Sequence, residues 1–197
     1  TRIDPATGQQ QAKLYADRLQ AQTGRRPVIF YSNGYQTWLW DDVNGGPPRT
    51  VQGFYTPHEL NLLHSRRGQT TDLRHASIDP EIAGRYYQTR AIRALLDTFA
   101  SQHRAGLLIM ATGTGKTRTA AALIKRLFQA NAITRVLFLV DRIPLAGQAV
   151  DALTEHLPDY PAYVLRGGGF RDEKRITVTT LQSMVNIYRD YSSGYFD

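Results

Sequence analysis

The sequence has no cysteine among its 197 residues, and this absence excludes disulfides and thiolate metal sites and fits a reducing compartment. No apolar run approaches the ~18 residues that a membrane-spanning helix needs, and no charged-then-apolar secretion signal opens the chain. We therefore expect a cytoplasmic protein without a membrane partner. The first residue is Thr1 rather than Met, which leads us to expect a processed or excised piece of a longer protein.

Acidic residues are fewer than basic ones, with 17 Asp and Glu against 24 Lys and Arg and a net charge of +7. Such an excess can be an electrostatic footprint for nucleic acid, or the ordinary surface charge of an arginine-rich protein. Composition alone leaves both interpretations open. Hydrophobic residues make up 42% of the chain, which is enough for a packed core.

The first part of the chain predicts a helix followed by an aromatic hairpin. Over residues 9–22, Leu14, Tyr15, Leu19 and Ala21 stand among polar residues as in an amphipathic helix, and Gly24 should end this helix. Two aromatic and β-branched runs, 28–32 and 35–40, flank Asn33-Gly34, a turn in which both residues should take positive φ.

A third strand is expected at residues 51–55. Thr56 is the expected cap of the next helix, with Pro57 at its first position. From residue 86 onward, helical patterns alternate with apolar strands, which is typical of an α/β fold with a parallel sheet. The predicted helices are 87–100, 117–129, 145–157 and 181–188, and the predicted strands are 106–111, 134–140, 163–165 and 176–180.

A phosphate-binding loop is predicted between the strand at 106–111 and the helix at 117–129. Glycines let the backbone curl around phosphate oxygens, and the helix N-terminus adds positive potential. Lys116 should reach the β- and γ-phosphates of ATP, and the hydroxyl of Thr117 should ligate Mg²⁺. The strict pattern has glycine where Met110 stands, so a plain glycine turn before a helix is the alternative. The loop residues expected to bind the nucleotide are Thr112, Gly113, Thr114, Gly115, Lys116 and Thr117.

Residues 110–117, MATGTGKT, resemble motif I of superfamily 2 helicases and translocases, in which the first glycine is often replaced. Residues 85–92, RYYQTRAI, lie upstream at a spacing similar to the Q motif of that superfamily. The resemblance implies that Gln88 binds adenine, since its amide can both accept and donate hydrogen bonds at the N6/N7 edge. The alternative is a glutamine on a helix surface.

Two further segments resemble the DNA-facing motifs of this superfamily. Residues 136–142, followed by Leu145 and Gln148, are similar to motif Ia. Residues 178–184 are similar to the DNA-facing motif that comes next along the chain in this superfamily. The resemblance implies that Arg142 and Thr180 contact nucleic-acid phosphates. The alternative is that both only end strands and cap helices.

ATP hydrolysis also needs an acidic pair at the end of an apolar strand. Asp141 is a poor candidate because Arg142 follows it where Glu is wanted, and because its strand comes directly after the phosphate loop. We expect the pair to follow Asp197, outside this chain, and we expect the chain alone to lack ATP turnover.

Upstream, Gln11 and Tyr15 are four residues apart on one helix face. Taken with the aromatic hairpin, residues 54–57 and the motor motifs, this Gln-x-x-x-Tyr spacing resembles the motor-nuclease subunit of type I restriction enzymes. The resemblance implies that Gln11 and Tyr15 are catalytic in the nuclease, whose metal-binding carboxylates should precede Thr1. The alternative is that Tyr15 packs near Trp38. Without those carboxylates this chain should not cleave DNA.

The resemblance implies an α/β protein in which a truncated RecA-like (P-loop) parallel sheet follows the carboxy-terminal part of a RecB-like nuclease domain with an aromatic β-hairpin. The expected segments are a nuclease remnant at 1–55, a linker at 56–80 and an incomplete first RecA-like motor lobe at 81–197.

The expected parent is an ATP-dependent DNA translocase and endonuclease that works with duplex DNA, ATP, Mg²⁺ and methylation and specificity subunits. One alternative is a superfamily 2 DNA repair or RNA helicase without a nuclease. Another is an ATP-gated DNA-binding module that does not turn over.

Overall fold

The computed structural model describes residues 5–44, 46–75, 77–166 and 174–197. The chain divides into two compact units. The first comprises Thr1–Arg67 together with Ser192–Gly194, and the second comprises Gly68–Tyr191 together with Tyr195–Asp197. The division falls inside the predicted linker, and the predicted domain boundaries stay a prediction.

The first unit contains a long helix, a small antiparallel sheet and a short helix. The helix α1 spans Pro5–Thr23, and Gly24 ends it with a φ of 69°, as the sequence predicted. The strands pair in the order β1-β2-β3. Their bounds are Ile29–Ser32 for β1, Thr37–Trp40 for β2 and Arg49–Val51 for β3, and α2 spans Pro57–Arg66.

The predicted hairpin is confirmed, but its turn differs from the prediction. Ser32 pairs with Thr37, so four residues rather than two connect the strands. Only Gly34 has a positive φ there, of 87°. The Asn33 side chain instead accepts hydrogen bonds from the backbone N–H groups of Tyr35 and Gln36 at 3.1 and 2.9 Å. A side-chain acceptor of this kind stabilises a turn without a left-handed asparagine.

The third strand lies earlier than predicted, at Arg49–Val51 rather than at 51–55. Phe54 and Tyr55 follow it outside the sheet and pack against Phe30, with ring centroids 5.3 and 5.8 Å apart. Aromatic packing on the Phe30 ring therefore replaces strand pairing for these two residues.

Helix α1 packs through a different face from the one that its apolar residues predicted. Ala16 is buried, whereas Leu14, Tyr15 and Leu19 are exposed. Helix α1 packs against β1. The exposed apolar residues are thus not part of the core of this unit.

The N-terminus of α2 is capped as predicted, and a distant segment contributes to the cap. Thr56 and Glu59 form a capping box, in which both orphan backbone N–H groups find a side-chain acceptor. Glu59 is buried, and its second oxygen accepts a hydrogen bond from the Ser192 hydroxyl. A buried carboxylate is thereby satisfied on both oxygens.

The second unit alternates helices and parallel strands. Its sheet has the order β4-β6-β5, and both pairs are parallel, which confirms the predicted α/β class. Its core includes Ile92, Leu96, Leu153 and Val178, all almost fully buried. The elements are α3 Tyr86–Ala100, α4 Lys116–Gln129, β4 Val136–Val140, α5 Ile143–His156, β5 Ala162–Val164, β6 Ile176–Thr180 and α6 Leu181–Ile187.

One predicted strand is wrong: residues 106–111 do not form one. Leu107 and Ile109 are 82% and 90% exposed. A strand needs a neighbour for its backbone hydrogen bonds, and no described segment pairs with these residues. The segment is apolar, as a strand would be, but no strand in the described part of the chain pairs with it.

Two arginines join the segments of the first unit through paired carboxylates. Arg26 donates from Nε to Asp42 at 2.8 Å and also pairs with Asp17 on α1. Arg67 donates to both oxygens of Asp41, at 3.2 and 2.7 Å. The side chains of Arg26 and Asp42 are only 11% and 14% exposed. Two-point pairing of this kind is among the stronger charge-assisted interactions in proteins.

The Asp42 pair makes the stability of the first unit dependent on pH. The hydrogen bond from Arg26 holds the pKa of Asp42 below its ordinary value of 3.8. A carboxyl whose pKa is lower when folded stabilises the protein above its unfolded pKa, and this is lost as pH falls through the folded pKa. We expect Asp42→Asn to lower the free energy of unfolding at pH 7 by about 1–3 kcal/mol and to flatten its decline below about pH 4.

Denaturant titration followed by tryptophan fluorescence measures this, because both tryptophans, Trp38 and Trp40, lie on β2 of the same unit. Asp151→Asn, at an exposed position on α5, is the control and should change the free energy by less than about 0.5 kcal/mol. An Asp42→Asn protein with the wild-type pH profile would contradict the assignment.

Candidate nucleotide-binding site

The predicted phosphate loop has the backbone that its glycines suggest. Gly113 and Gly115 have φ angles of 76° and 84°, a conformation in which a Cβ atom is strained. Helix α4 then begins at Lys116 with Gly115 as its N-cap. The first N–H groups of a helix have no partner within the helix, and together with the helix dipole they favour an anion.

Helix α3 holds this loop from the side through a buried amide. Gln88 is only 3% exposed, its Nε2 donates to the Thr114 carbonyl at 3.0 Å, and its Oε1 accepts from the Arg85 N–H at 3.3 Å. A Cβ atom on Gly115 would lie 2.5 Å from Gln88 Nε2. The structure thus brings Gln88 against the loop, and each amide atom keeps one further position for a hydrogen bond.

Tyr87 donates a hydrogen bond to the same carbonyl oxygen as Gln88, that of Thr114. Its hydroxyl donates to the Thr114 carbonyl at 3.1 Å and accepts from Arg85 Nη1 at 2.8 Å. Tyr87 could not be distinguished in the sequence from Tyr86 beside it, because the two side chains are identical. The difference is one of helix phase: Tyr86 is 76% exposed, and its hydroxyl accepts from Arg90 on the same helix.

A pocket of about 380 Å³ opens between the loop and the segment that precedes α3, within the usual size range of small-molecule sites. Its polar lining includes Gln88, the loop glycines Gly113 and Gly115, and the charged residues Glu81, Arg85 and Arg118. Arg118 donates to the Glu81 carbonyl at 2.8 Å, which joins two residues of the lining. Glu81 and Arg118 lie outside the segments at 85–92 and 110–117 that resemble motor motifs, so no sequence pattern marked them as lining residues.

Lys116 and Thr114 make hydrogen bonds inside the loop. The Lys116 ammonium lies 3.2 Å from the Ala111 carbonyl and 3.4 Å from that of Met110, and the Thr114 hydroxyl donates to Ala111 at 2.7 Å. Among the described residues, Lys116 has no acidic partner. An ammonium group held only by neutral carbonyls can be transferred to phosphate oxygens without breaking an ion pair.

Thr112 and Thr117 complete the predicted loop residues, and Thr117 lies in the first turn of α4. No cluster of three or more His, Asp or Glu is placed to hold a metal ion in the described part of the chain. A magnesium ion at Thr117 would therefore take its remaining ligands from nucleotide phosphates and water, as Mg²⁺ often does. This role of Thr117 stays a prediction.

The two predicted DNA contacts lie at one edge of the sheet but differ in exposure. Val140 pairs with Thr180 at the ends of β4 and β6, and Arg142 follows Val140 as the N-cap of α5. The Arg142 side chain is 81% exposed and lies 3.7 Å from Asp141. Thr180 is buried, and its hydroxyl accepts from the Ser183 N–H at 3.2 Å and so caps α6. A direct phosphate contact by either residue stays a prediction.

Gln11 and Tyr15 share one face of α1, as the spacing predicted. Gln11 Nε2 donates to the Tyr15 hydroxyl at 3.1 Å, and both residues are exposed. The alternative, in which Tyr15 packs near Trp38, is not favoured, because Tyr15 is 55% exposed; Trp38 stacks on Tyr31, with ring centroids 5.4 Å apart. The catalytic role of the pair stays a prediction.

The second part of the chain matches a known protein family. Residues 81–197, more than half of the chain, match the family described as "Type III restriction enzyme, res subunit". The chain therefore belongs to this family.

Two curated relatives are restriction enzyme subunits. The chain is 48% identical over 75 residues to the type I restriction enzyme EcoKI endonuclease subunit of Escherichia coli K12, and 45% identical over 64 residues to the EcoAI endonuclease subunit of Escherichia coli. These matches cover 38% and 32% of this chain but only 6% and 8% of the relatives' length. The predicted similarity to type I restriction subunits is confirmed.

A solved fragment structure of a putative HsdR subunit of a type I restriction enzyme from Vibrio vulnificus YJ016 matches 96% of this chain and 35% of its own, with 24% identity and a TM-score of 0.47. The α/β assignment rests on the parallel strand order described above. Among the described helices, none combines the length and apolar character needed to cross a bilayer.

Alanine substitutions at the two loop glycines should lower the free energy of unfolding by different amounts. Both have positive φ, so Gly113→Ala and Gly115→Ala should each lower the free energy of unfolding by about 1 kcal/mol through backbone strain. A Cβ at Gly113 meets nothing within 4 Å, whereas one at Gly115 meets Gln88. Displacing Gln88 from its hydrogen bonds should add about 1 kcal/mol for Gly115→Ala.

Scanning calorimetry of the two variants beside the unmodified chain measures the difference. Gly113→Ala is the matched control, because it carries the backbone strain without the contact. Equal losses of stability in the two variants would show that Gln88 moves aside without cost.

Proposed function

We propose that the second unit binds Mg-ATP, with the phosphates on residues 112–117 and the base in the pocket beside Gln88. The observation that carries this proposal is the junction of three features: left-handed glycines, a helix beginning at Lys116 and a pocket of about 380 Å³ lined by Gln88. The family described for residues 81–197 is consistent with a helicase-like motor.

The parent protein, in this proposal, is a DNA-translocating and DNA-cleaving restriction subunit that works with methylation and specificity subunits. The two restriction-subunit relatives support this over a repair or RNA helicase without a nuclease. Gln11 and Tyr15 would then act on the scissile phosphate. If the Tyr15→Phe variant of the complete enzyme cuts DNA at the wild-type rate, Tyr15 has no catalytic role.

This chain itself, we propose, binds ATP without turning it over. The three parallel strands are followed by Asp141-Arg142, by Leu165-Arg166 and by Leu181-Gln182. None of these supplies the adjacent acidic pair that would hold Mg²⁺ and position the attacking water. Asp141 is exposed and lies beside Arg142, which is a poor setting for a water-activating carboxylate.

Duplex DNA is the proposed second ligand, held at the carboxyl edge of β4 and β6. Arg142 supplies an exposed positive charge there. Thr180, whose hydroxyl caps α6, is the second proposed contact to the DNA phosphates. Backbone contacts of this kind position a protein on DNA without reading its sequence.

Lys116→Ala should abolish binding of a fluorescent ATP analogue, because it removes the ammonium that neutralises the β- and γ-phosphates. The wild-type chain should bind the analogue and should release no phosphate above the Lys116→Ala background. Fluorescence anisotropy measures the binding, and a phosphate-release assay measures the turnover. Lys13→Ala, on α1 in the first unit, is the control for loss of one lysine charge and should bind normally.

Wild-type binding no stronger than that of Lys116→Ala would contradict the nucleotide site. Phosphate release above the background would contradict only the absence of turnover.

Arg142→Ala should weaken binding to duplex DNA about three- to tenfold and reduce the slope of log affinity against log salt by about one, as expected for one lost phosphate contact. The loss should be the same for unrelated DNA sequences. A salt titration by fluorescence anisotropy measures both quantities.

Arg18→Ala removes the same charge from an exposed position on α1 and is the matched control. If both variants lose affinity equally, the net charge of +7, and not a contact at Arg142, governs DNA binding.

A further inference from the structure

One carbonyl oxygen in the phosphate loop accepts two hydrogen bonds from α3. The Thr114 oxygen lies 3.0 Å from Gln88 Nε2 and 3.1 Å from the Tyr87 hydroxyl. A carbonyl oxygen has two lone pairs, so the two donors together use its full capacity. Neighbouring residues of one helix thus fix the direction of this single carbonyl.

Fixing that carbonyl also fixes the next N–H. The Thr114 carbonyl and the Gly115 N–H belong to the same peptide unit, which is planar and trans, so the two groups point in opposite directions. With the oxygen turned toward Gln88 and Tyr87, the Gly115 N–H is turned away from them. Gly115 is the residue before Lys116, and its N–H is one of the donors that such a loop offers to phosphate.

The glycine at position 115 is the reason why the orientation of this peptide must be fixed from outside the loop. Gly115 has a φ of 84°, and because glycine tolerates both signs of φ, the peptide between Thr114 and Gly115 can rotate at its glycine end with little steric cost. An external anchor on the carbonyl removes that freedom before the ligand arrives. Ordering of this kind in advance lowers the entropic cost of binding.

Tyr87 is suited to anchoring the loop rather than to holding up the core. Its side chain is 40% exposed, so the ring contributes little to the apolar core. Its hydroxyl is held at 2.8 Å by Arg85 Nη1, which leaves the hydroxyl proton for Thr114. Gln88, by contrast, is buried, lines the pocket and is the residue to which base recognition is assigned above.

We propose that Tyr87 is a positioning residue for phosphate binding: through the Thr114 carbonyl it orients the Gly115 N–H toward the β-phosphate of the nucleotide. This inference rests on the proposed nucleotide site and goes beyond it by assigning a residue outside the loop to the phosphate half of the ligand. Tyr87 does not contact the ligand in this role; it acts only through the peptide unit.

The test compares Tyr87→Phe with the unmodified 197-residue chain. Two competitors, Mg-ATP and inorganic tripolyphosphate with Mg²⁺, displace a fluorescent ATP analogue, and the affinity of each is measured. Loss of one hydrogen bond should weaken both about three- to tenfold, and by equal factors. The melting temperature should stay unchanged, because the ring is retained. Tyr86→Phe, at the neighbouring exposed tyrosine, is the matched control and should bind both competitors as the wild type does.

The other outcomes separate the two proposals. A loss for ATP without a loss for tripolyphosphate would place Tyr87 at the base and overturn the inference, as would unchanged affinity for both competitors. A fall in melting temperature with unchanged affinity would also overturn it, since the contact would then be structural only. A wild-type chain that binds neither competitor more strongly than Lys116→Ala would overturn the proposed function itself, and the inference with it.

Discussion

The hydrogen bonds that converge on the Thr114 carbonyl are the interaction on which the candidate site depends. They join the N-terminus of α3 to the turn before α4, and both helices pack into one apolar core through residues such as Ile92 and Ile124. The loop is therefore anchored to two elements that the core already fixes. A glycine-rich segment, which pays the largest entropic cost on ordering, gains its shape from those anchors.

The two units are stabilised in different ways. The second has an apolar core between helices and a parallel sheet, in which Val178 and Ile176 are fully buried. The first is smaller and relies on aromatic contacts around Phe30 and on the paired carboxylates of Arg26 and Arg67. Small units bury a smaller fraction of their surface, so specific polar and aromatic contacts carry more of their stability.

Local patterns allowed much of the fold to be predicted, and non-local pairing explains most of the failures. Gly115 and Lys116 lie where the loop motif put them, because turn geometry and helix initiation are decided within a few residues. Residues 106–111 have a strand's composition, but a strand exists only with a neighbour, and pairing is not encoded in the segment. Asn33 is a failure of a different, local kind: its side chain accepts hydrogen bonds from the N–H groups of Tyr35 and Gln36, and the residue does not take the positive φ expected of it.

The candidate site was predicted less fully than the loop that forms its centre. Gln88 was found because its distance from Lys116 matches a known motif, whereas Tyr87 and Tyr86 are indistinguishable until the rotation of α3 is known. Leu14, Tyr15 and Leu19 marked an apolar face of the predicted amphipathic helix, yet in the structure they are exposed and Ala16 is buried. Apolar periodicity shows that a helix has a face, but it does not show which neighbour covers that face.

The cap of α2 has a consequence for the order in which the chain matures during synthesis. Glu59 obtains one of its partners from Ser192, 133 residues later in the sequence. On the ribosome, the helix and the hairpin before it emerge well before that serine, so the buried carboxylate waits without its second donor. Closing so long a loop costs entropy that local contacts cannot offset early. The unit that is made first therefore completes this cap only after almost the whole of the other unit has been translated.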